Sequence, residues 1–258
     1  MLMQPTMNNL PYYTTLLLVF VFFFLLSIVP SQSEEPAYFL CDTENATAQI
    51  SKNIESLLPK LVNNTYQNGS NNATSGKSNS KIYGLAQCIG DVPNGACASC
   101  IENATEAAIG HCRDKSGAAI WYDYCFLRYS TRNFYGEVDG GSDLILRNTE
   151  KVTNYKKFNK ALTDLMNKTT LEALASPKGF GQGTEKVLPS DDDTIYALLQ
   201  CTIDLLDPAY KRCGQCLDKA KSYLKSCYNH RGCRVFFKSC FLRYEVYSFF
   251  YNGTSGGT

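Results

Sequence analysis

The sequence predicts an α+β protein of two tandem domains, each with two helices packed on an antiparallel sheet. The first supporting observation is a long internal repeat, because the segment Cys88–Tyr129 recurs as Cys201–Tyr244. In both copies a cysteine precedes a Cys-x-x-Cys pair, a single cysteine and the pentapeptide Cys-Phe-Leu-Arg-Tyr. Matching positions lie about 115 residues apart in the 258-residue chain, which indicates a duplicated domain rather than a short-period repeat.

Periodicity supplies the other two observations. In the first copy, apolar residues recur at helical spacing from about Thr47 to Val62. The cysteines and small apolar residues from Cys97 to Cys112 share one face of a second helix. Apolar or aromatic segments predict strands at Tyr38–Leu40, Ile82–Ile89, Ile120–Tyr129 and, shorter, Asn133–Val138.

Polar segments separate these elements. Asn63–Ser80 is rich in Asn, Ser and Gly and is expected to form a mobile loop, and Asp91–Gly95 to form a turn. In the second copy the loop corresponds to Ser176–Asp193. Its Asp191-Asp192-Asp193 run is expected to begin a helix over Thr194–Leu206 or to form a solvated turn, rather than a metal site.

The second copy repeats the order of elements. A stripe from Cys213 to Cys227 predicts its second helix, and closing strands are expected at Val235–Tyr244 and Val246–Tyr251. The face of its first helix consists of Phe158, Leu162, Leu165 and Met166.

The expected organisation is a signal peptide over residues 1–33, a first domain over 34–139, a linker over 140–149, a second domain over 150–252 and a tail over 253–258. The linker contains Gly140-Gly141-Ser142 and is short, so we expect the two domains to pack against each other.

The leader determines the expected compartment. The first 33 residues carry no charged side chain, and Leu16–Val29 is apolar apart from Ser27. This length is typical of a signal-peptide core, with cleavage near Ser33, and an uncleaved anchor is the alternative. Because no second apolar segment follows, we expect a soluble, secreted mature protein without a membrane span.

Cysteines and glycosylation motifs agree with secretion. All 12 cysteines lie beyond the leader, an even number that favours disulfides in an oxidising compartment. Seven Asn-x-Ser/Thr motifs are candidate glycosylation sites. They occur at Asn45, Asn63, Asn68, Asn72, Asn103, Asn167 and Asn252.

The charge is distributed unevenly although the net charge is only +1. Residues 34–139 carry 8 basic and 12 acidic side chains, and residues 140–258 carry 17 basic and 12 acidic ones. This difference is either ordinary surface variation or the mark of an anionic partner of the second domain, such as an acidic polysaccharide or a membrane surface. No motif indicates nucleic-acid binding.

Three roles are open for the Cys-x-x-Cys pairs. A zinc site requires four ligands with a second close pair, but the remaining cysteines are single and the chain has only His111 and His230. A redox pair requires a thioredoxin-like setting. Structural disulfides fit best, since the two thiols lie on one helical face and each can reach a different strand. We expect no metal and no cofactor.

Two stretches flank the first Cys-x-x-Cys pair. They are Tyr83–Cys88, with the sequence YGLAQC, and Trp121–Ser130, with the sequence WYDYCFLRYS. Together with the spacing Cys88-x8-Cys97-x2-Cys100, they resemble the ginkbilobin-homologous, stress-antifungal domain of plants. Two such domains behind a signal peptide resemble the plant cysteine-rich repeat secretory proteins. The same tandem forms the ectodomains of cysteine-rich receptor-like kinases, which add a membrane helix.

The resemblance implies a disulfide pairing. In the first domain it gives Cys41–Cys112, Cys88–Cys97 and Cys100–Cys125. In the second it gives, by analogy, Cys201–Cys213 and Cys216–Cys240. The second domain has no counterpart of Cys41 and contains an additional Cys233, so we assign the remaining pair to Cys227–Cys233.

The resemblance also implies a carbohydrate ligand, because ginkbilobin-like antifungal proteins bind mannose through an Asn, an Arg and a Glu. An amide and a carboxylate can orient sugar hydroxyls, and a guanidinium adds a planar fork of donors. The corresponding first-domain positions are Asp42, Ala119 and Ser130, which lack the arginine and the glutamate.

In the second domain, Arg234 and Glu245 match the family's arginine and glutamate. The asparagine position falls near Glu150 or Lys151, so the asparagine is not retained there, although Asn148 and Asn154 flank it. Arg234 and Glu245 are therefore the candidate sugar-binding residues, and their alternative role is to pair with each other.

Catalysis is not predicted. A thiol nucleophile needs an unpaired cysteine beside a histidine, and every cysteine here has an expected partner. Both histidines are expected on the solvated surface, and Arg128 and Arg243 are expected to anchor their strands. Exposed aromatic residues near the closing strands would form either a contact surface or part of the packing. They are Tyr247, Phe249, Phe250 and Tyr251.

The resemblance and the composition together predict a secreted, non-enzymatic binding protein of the plant apoplast, acting in stress or defence. Its expected partner is a cell-wall or fungal glycan, or the ectodomain of a receptor-like kinase. The first alternative is a mannose-type antifungal lectin that uses the second domain. A remote alternative is a thiol-redox or hydrolytic enzyme.

Overall fold

Each half of the chain forms a five-stranded antiparallel sheet. The computed structural model describes residues 35–139, 144–187, 194–206 and 211–253. These residues belong to one compact unit. The predicted signal peptide, the Gly140-Gly141-Ser142 linker sequence, Asp191–Asp193 and the tail beyond Gly253 lie outside the described residues.

The first sheet has the strand order β1-β4-β5-β3-β2, and two helices pack on one of its faces. Its strands are β1 (Tyr38–Cys41), β2 (Ser70–Ser75), β3 (Ile82–Cys88), β4 (Ala118–Trp121) and β5 (Cys125–Ser130). The helices are α1 (Ala48–Asn68) and α2 (Asn94–His111).

The second sheet has the matching order β6-β9-β10-β8-β7. Its strands are β6 (Leu144–Arg147), β7 (Phe180–Lys186), β8 (Thr194–Cys201), β9 (Gly232–Phe236) and β10 (Cys240–Glu245). The helices are α3 (Tyr155–Ala175) and α4 (Lys211–Ser222), and a 3-10 turn at Tyr223–Cys227 follows α4. The predicted α+β fold with two helices on each sheet is confirmed.

Helix α1 shows how local sequence defines an element. The Thr47 hydroxyl caps its first turn by accepting a hydrogen bond from the Ile50 N–H at 3.3 Å. The helix continues to Asn68, past the predicted end at Val62, and in this extension Thr65 is buried and donates to the Leu61 carbonyl at 2.6 Å. Gly69 ends it in the left-handed conformation, at φ 71°.

The expected loop at Asn63–Ser80 is wrong. Its first residues continue α1, and Ser70–Ser75 forms the edge strand β2, which pairs with β3. Asn and Ser have low intrinsic preference for strands, but an edge position beside a buried strand overrides that preference. The expected loop Ser176–Asp193 is wrong for the same reason, because it contains β7.

Five further expectations are wrong, three of them near turns. The segment Ile120–Tyr129 forms two strands, β4 and β5, because the chain reverses at Tyr122–Tyr124. Val235–Tyr244 likewise divides into β9 and β10. The expected helix at Thr194–Leu206 is instead β8 followed by a 3-10 turn. Strands were also expected at Asn133–Val138 and Val246–Tyr251, but neither segment belongs to a sheet.

Six disulfides tie helices to strands, and no cysteine is free. They are Cys41–Cys112, Cys88–Cys97, Cys100–Cys125, Cys201–Cys213, Cys216–Cys240 and Cys227–Cys233. These are the pairs that the resemblance and the remaining cysteines imply. In each domain the Cys-x-x-Cys pair joins one helix to two neighbouring strands, so the helix is fixed against the sheet.

The second domain fastens its edge strand differently from the first. In register, Cys41 lies opposite Ala118 and Arg147 lies opposite Cys233, so Arg147 stands where the first domain has Cys41. Arg147 donates a hydrogen bond to the carbonyl of Ser226 at 3.2 Å. Strand β6 also lies inside the segment that we expect to be a linker, so the second sheet begins soon after the first domain ends.

The sheets pack face to face, with the helices outside. The faces turned away from the helices contribute an apolar cluster that joins Leu85, Trp121 and Phe126 of the first domain to Phe236 of the second. The Trp121 and Phe236 rings meet edge to face, with centroids 5.9 Å apart. Leu198 of the second domain is buried against the core of the first. These contacts bury the apolar part of both inner faces.

Two glutamines form a reciprocal bridge across this interface. Gln87 donates to the Cys201 carbonyl at 3.0 Å and accepts from the Ile203 N–H at 2.7 Å. Gln200, its counterpart in the repeat, donates to the Cys88 carbonyl and accepts from the Gly90 N–H, each at 3.1 Å. The two halves are therefore related by an approximate two-fold axis.

A second reciprocal contact lies beside the glutamines. Asp91 accepts from the Tyr251 N–H at 3.1 Å, and Asp204, its counterpart, accepts from the Gly136 N–H at 3.0 Å. Each carboxylate thus binds the segment that follows the last strand of the other domain. This contact explains why those two segments leave their own sheets instead of forming strands.

We predict that replacing Gln200 by Ala lowers the free energy of unfolding by about 2–4 kcal/mol, because two buried backbone groups lose their partners. Gln87→Ala should have a similar effect, since its contacts are the same in kind. Exposed Gln67 on α1 supplies the control Gln67→Ala, which should change stability by less than about 0.5 kcal/mol. Urea unfolding measures all three. Equal values for Gln200→Ala and the control would contradict the bridge.

Candidate functional sites

The three family-type sugar positions lie side by side on the inner face of the second sheet. The Asn148 N–H donates to the Gly232 carbonyl at 2.9 Å, and Gly232 lies opposite Glu245 in the next strand. Arg234 is two residues along the same strand as Gly232 and therefore shares its face. Gly232 leaves room for the Glu245 carboxylate, which a Cβ atom at this position would have to displace.

The asparagine position needs correction. Asp42 and Asn148 each donate their backbone N–H to the corresponding glycine of the neighbouring strand, so Asn148 is the counterpart of Asp42. The expectation of Glu150 or Lys151 is wrong. The connection from edge strand to helix is longer in the second domain, so aligning the helices displaces the strand position. Residues of all three family types are thus present.

An ionic network occupies these positions. Arg234 donates to the Asp123 carboxylate of the first domain at 2.6 Å, and Arg243 approaches the same carboxylate at 3.4 Å. Glu245 is only 5% exposed and accepts from Arg243 at 3.2 Å, with Arg234 at 3.7 Å. Arg234 and Glu245 therefore connect the two domains through Asp123.

The space beside this network is small. The pocket lined by Asp123, Arg234 and Arg243 has a cavity volume of about 30 Å³. A cavity of this volume has room for only about two water molecules and is too small for a sugar ring. A sugar could reach Arg234 and Glu245 only by displacing Asp123.

The first domain has a larger polar cleft at the corresponding place. Its volume is about 310 Å³. We define this polar cleft by its lining residues, which are Asp42, Thr43, Glu44, Arg128, Ser130, Thr131, Arg132, Asp139 and Lys238. It includes Asp42 and Ser130, two of the three first-domain positions that correspond to the family's sugar-binding residues. The third, Ala119, is buried.

Several groups of the polar cleft are available to a ligand. Lys238, contributed by the second domain, has no hydrogen-bond or ion-pair partner among the described residues. Neither does the carboxylate of half-buried Asp42. By contrast, Arg128 is buried and donates to Asp139 at 2.8 Å. No sequence pattern indicates a role for Lys238, because only the domain packing brings it to the cleft.

The twin arginines of the Cys-Phe-Leu-Arg-Tyr pentapeptides have parallel structural roles. Arg128 stacks on Phe134 at 4.0 Å, and Arg243 stacks on Phe249 at 4.1 Å from the ring centroid. Burial lowers the pKa of Arg128 below that of a free guanidinium, and the nearby Asp139 opposes this shift. Each arginine holds the segment that follows its own strand.

The other candidate residues are placed as follows. Phe249, Phe250 and Tyr251 pack against the first-domain core, whereas Tyr247 is half exposed. The expected aromatic contact surface is therefore mostly part of the interdomain packing. Of the seven glycosylation motifs, only Asn103 is half-buried, and the other six asparagines are exposed.

The two histidines contact other side chains or the backbone, and no free thiol lies beside either of them in the described part of the chain. The His111 ring stacks on Phe39, with centroids 4.2 Å apart, and lies 3.9 Å from Glu35. The Nδ1 atom of His230 lies 2.6 Å from the Asn148 carbonyl oxygen. Across the described residues, no group of three His, Cys, Asp or Glu side chains is arranged to hold a metal ion. In the same part of the chain, no helix is both long and apolar enough to cross a bilayer.

Two disulfide-stapled α+β domains joined through their sheets define a tandem cysteine-rich module, and comparisons with known proteins give its family. The family model described as salt stress response/antifungal matches residues 40–132 and again residues 146–247. The chain is 41% identical over 239 residues to cysteine-rich repeat secretory protein 55 of Arabidopsis thaliana, with 89% of each chain covered.

Two further similarities agree. The chain is 35% identical over 230 residues to the antimicrobial ginkbilobin-2-like protein of Castanea crenata, covering 87% of this chain and 92% of that one. The tandem DUF26 ectodomain of the Arabidopsis thaliana cysteine-rich receptor-like protein PDLP8 has the same fold, with a TM-score of 0.70. It is 24% identical, and 81% of this chain and 97% of that chain are covered. The chain belongs to the salt stress response/antifungal family, as a plant cysteine-rich repeat secretory protein.

We predict that Asp123→Ala lowers the free energy of unfolding by about 1–2 kcal/mol, because it leaves two largely buried arginines without their shared carboxylate. Asp164 supplies the control, because it forms an exposed i,i+4 pair with Lys160. Asp164→Ala should cost about 0.3–0.5 kcal/mol. Chemical unfolding of both variants gives the comparison. If the two costs were equal, Asp123 would be an ordinary surface carboxylate.

Asp204 predicts a pH dependence of stability. Burial raises the pKa of this carboxyl above its ordinary value, and hydrogen bonds from Thr202 and the Gly136 N–H oppose the shift. The free energy of unfolding is therefore larger when the Asp204 carboxyl is protonated than when it is ionised. Its full contribution is present below the unfolded pKa of about 4 and is lost as the pH rises through the folded pKa.

The Asp204→Asn side chain cannot ionise, so the variant should not lose stability from this group as the pH rises. We expect the unfolding free energy of the wild type, relative to Asp204→Asn, to fall between about pH 4 and about pH 7. Denaturant unfolding of both proteins at the two pH values tests this. A difference that stays constant with pH would show that the folded and unfolded pKa values of Asp204 are equal.

Proposed function

We propose that this protein is a non-catalytic binding protein of the plant extracellular space, acting in stress or defence, and that the polar cleft is its ligand site. The observation that carries this proposal is the set of free polar groups in a cleft of about 310 Å³. The Asp42 carboxylate can accept hydrogen bonds, the hydroxyls of Ser130 and Thr131 can both accept and donate them, and Lys238 adds an ammonium donor.

This combination fits a carbohydrate. A sugar offers hydroxyl groups that both donate and accept, and a carboxylate, hydroxyls and an ammonium group can complement them at fixed angles. Charged hydrogen-bonding partners are also stronger than neutral ones. We therefore assign the cleft to a cell-wall or fungal glycan. The apoplast is the proposed location, and the exposed glycosylation motifs and the relatives named as secretory proteins support it.

The absence of catalysis is also a proposal. It is supported by the cysteines, because all 12 form disulfides and none offers a thiolate nucleophile. The polar cleft contains no histidine to serve as a base near neutral pH. The alternative partner is the ectodomain of a receptor-like kinase.

A second candidate is a mannose-type antifungal lectin that uses the second domain. The position of Asn148 beside Glu245 and Arg234 favours it, since the three family residue types form one row. This site would open only if the Asp123 carboxylate left Arg234. The two candidates therefore predict different effects of the same variants.

We predict that protein purified from apoplastic wash fluid binds glycans on an array of wall and fungal sugars, including mannosides. Asp42→Ala combined with Lys238→Ala should weaken binding about tenfold or more, because each removes a charged hydrogen-bonding partner. Arg234→Ala should leave affinity within about twofold. Asp164→Ala combined with Lys168→Ala is the matched control, with the same change in charge at exposed positions of α3.

The reverse pattern, with binding lost in Arg234→Ala and kept in the cleft variant, would assign sugar binding to the second domain. A wild-type protein that binds no glycan would overturn the carbohydrate proposal. Failure to find the processed chain in the wash fluid would overturn the apoplastic location.

A further inference from the structure

The two domains present opposite charges on equivalent helices. In α2 of the first domain, Glu102 and Glu106 are the charged residues, and the helix contains no Lys or Arg. In the second domain, α4 and the 3-10 turn after it carry five basic side chains and one acidic one, Asp218. Because the scaffold is the same, structural needs of the fold do not explain this reversal.

The equivalence holds residue by residue. The Cys-x-x-Cys pairs align α2 with α4, so Lys219 stands at the position of Asn103, a glycosylation motif, and Lys225 at the position of Ile109. Lys219 and Lys225 are exposed, as is Lys211 at the start of α4. The first domain thus presents an acidic helix with a glycosylation motif, and the second domain presents a basic helix without one.

The lysines are free to bind. We define the basic face as Lys211, Lys219 and Lys225 of this helix and turn, with exposed Lys151 beside them. Lys151 belongs to the face because its backbone pairs with that of His230, which lies just after the turn. None of the four has an ion-pair partner within the described residues.

The arrangement fits a polymer better than a small anion. Lys211 and Lys219 are eight residues apart, which places them about 12 Å apart along the helix axis. Lys225 lies roughly 10 Å further along the turn. The charges therefore form a row of roughly 20 Å and do not converge on a single pocket. A chain with regularly repeated negative charges can contact them in succession.

The basic face lacks the apolar side chains that membrane binding requires. An interfacial helix inserts large apolar residues beside its lysines. Within the described chain, the exposed large apolar residues do not include any residue of α4, and only Tyr228 lies next to the turn. This feature favours a hydrated polyanion over a lipid surface.

We propose that the basic face of the second domain binds an acidic polysaccharide, through contacts between its lysines and the carboxylates of uronate residues. This site is separate from the polar cleft and does not depend on it. The polysaccharide would hold the protein in a carboxylate-rich matrix while the first domain remains accessible.

The experiment measures binding of the full mature chain to polygalacturonate at low salt. Replacing three lysines, in Lys211→Glu/Lys219→Glu/Lys225→Glu, should weaken binding by about 100-fold, at about 1 kcal/mol per basic contact at an anionic surface. Salt should weaken wild-type binding steeply through screening. The matched control, Lys52→Glu/Lys60→Glu/Lys77→Glu, makes the same change in net charge on exposed first-domain positions. Its binding should change by less than about threefold.

Each other outcome would overturn the proposal. Equal losses in both triple variants would mean that only net charge matters. Equal binding of a fully methyl-esterified polymer would exclude carboxylate recognition. Binding to vesicles of phosphatidylcholine and phosphatidylserine without binding to polygalacturonate would indicate a membrane partner. The milder Lys211→Gln/Lys219→Gln/Lys225→Gln variant, with thermal unfolding as a check, separates lost binding from lost folding.

The polar-cleft variant Asp42→Ala/Lys238→Ala should bind polygalacturonate as the wild type does. Failure of the carbohydrate proposal for the cleft and failure of the polyanion proposal for the basic face can therefore be recognised separately.

Discussion

The face-to-face packing of the two sheets is the constraint on which the rest of the structure depends. Each sheet is covered by helices on one side and carries large apolar residues on the other, such as Trp121 and Phe236. Neither inner face could be left in water without exposing a wide apolar surface. The reciprocal bonds of Gln87 and Gln200 satisfy buried backbone groups in this interface and fix its register.

The two proposed binding surfaces lie where the approximate two-fold symmetry is broken. In the second domain, Arg234 and Glu245 belong to an ionic network that leaves little space. At the corresponding place, the first domain has the open polar cleft. The same helix is acidic in the first domain and basic in the second. Duplication supplied two copies of a stable scaffold, and different side chains at equivalent positions give the copies different surfaces. Lys238 of the second domain also lines the polar cleft of the first.

The sequence predicts the parts of this structure that depend on local pattern. The repeat, the helical stripes and the cysteine spacing give the domain number, the helices and the α+β class. The edge strand β2 was not predictable, because its Asn- and Ser-rich sequence becomes a strand only through pairing with β3. Nor were the irregular segments after β5 and β10, which bind the opposite domain instead of their own sheet.

The candidate site was predictable only in part. The resemblance identifies Arg234 and Glu245, but the partner Asp123 lies 111 positions from Arg234 and belongs to the other domain. Asn148 could be placed only from strand register, since the connection to the helix differs in length between the copies. Residues brought together by domain packing leave no periodic signal in a single sequence.

The dependence of each domain on the other is tested most directly by differential scanning calorimetry of the oxidised, full-length mature protein. If the sheet interface unites the two halves, the protein should unfold in one transition with a van't Hoff to calorimetric enthalpy ratio of about 1. Two separable transitions, with a ratio well below about 1, would show that the domains fold independently and would contradict this account.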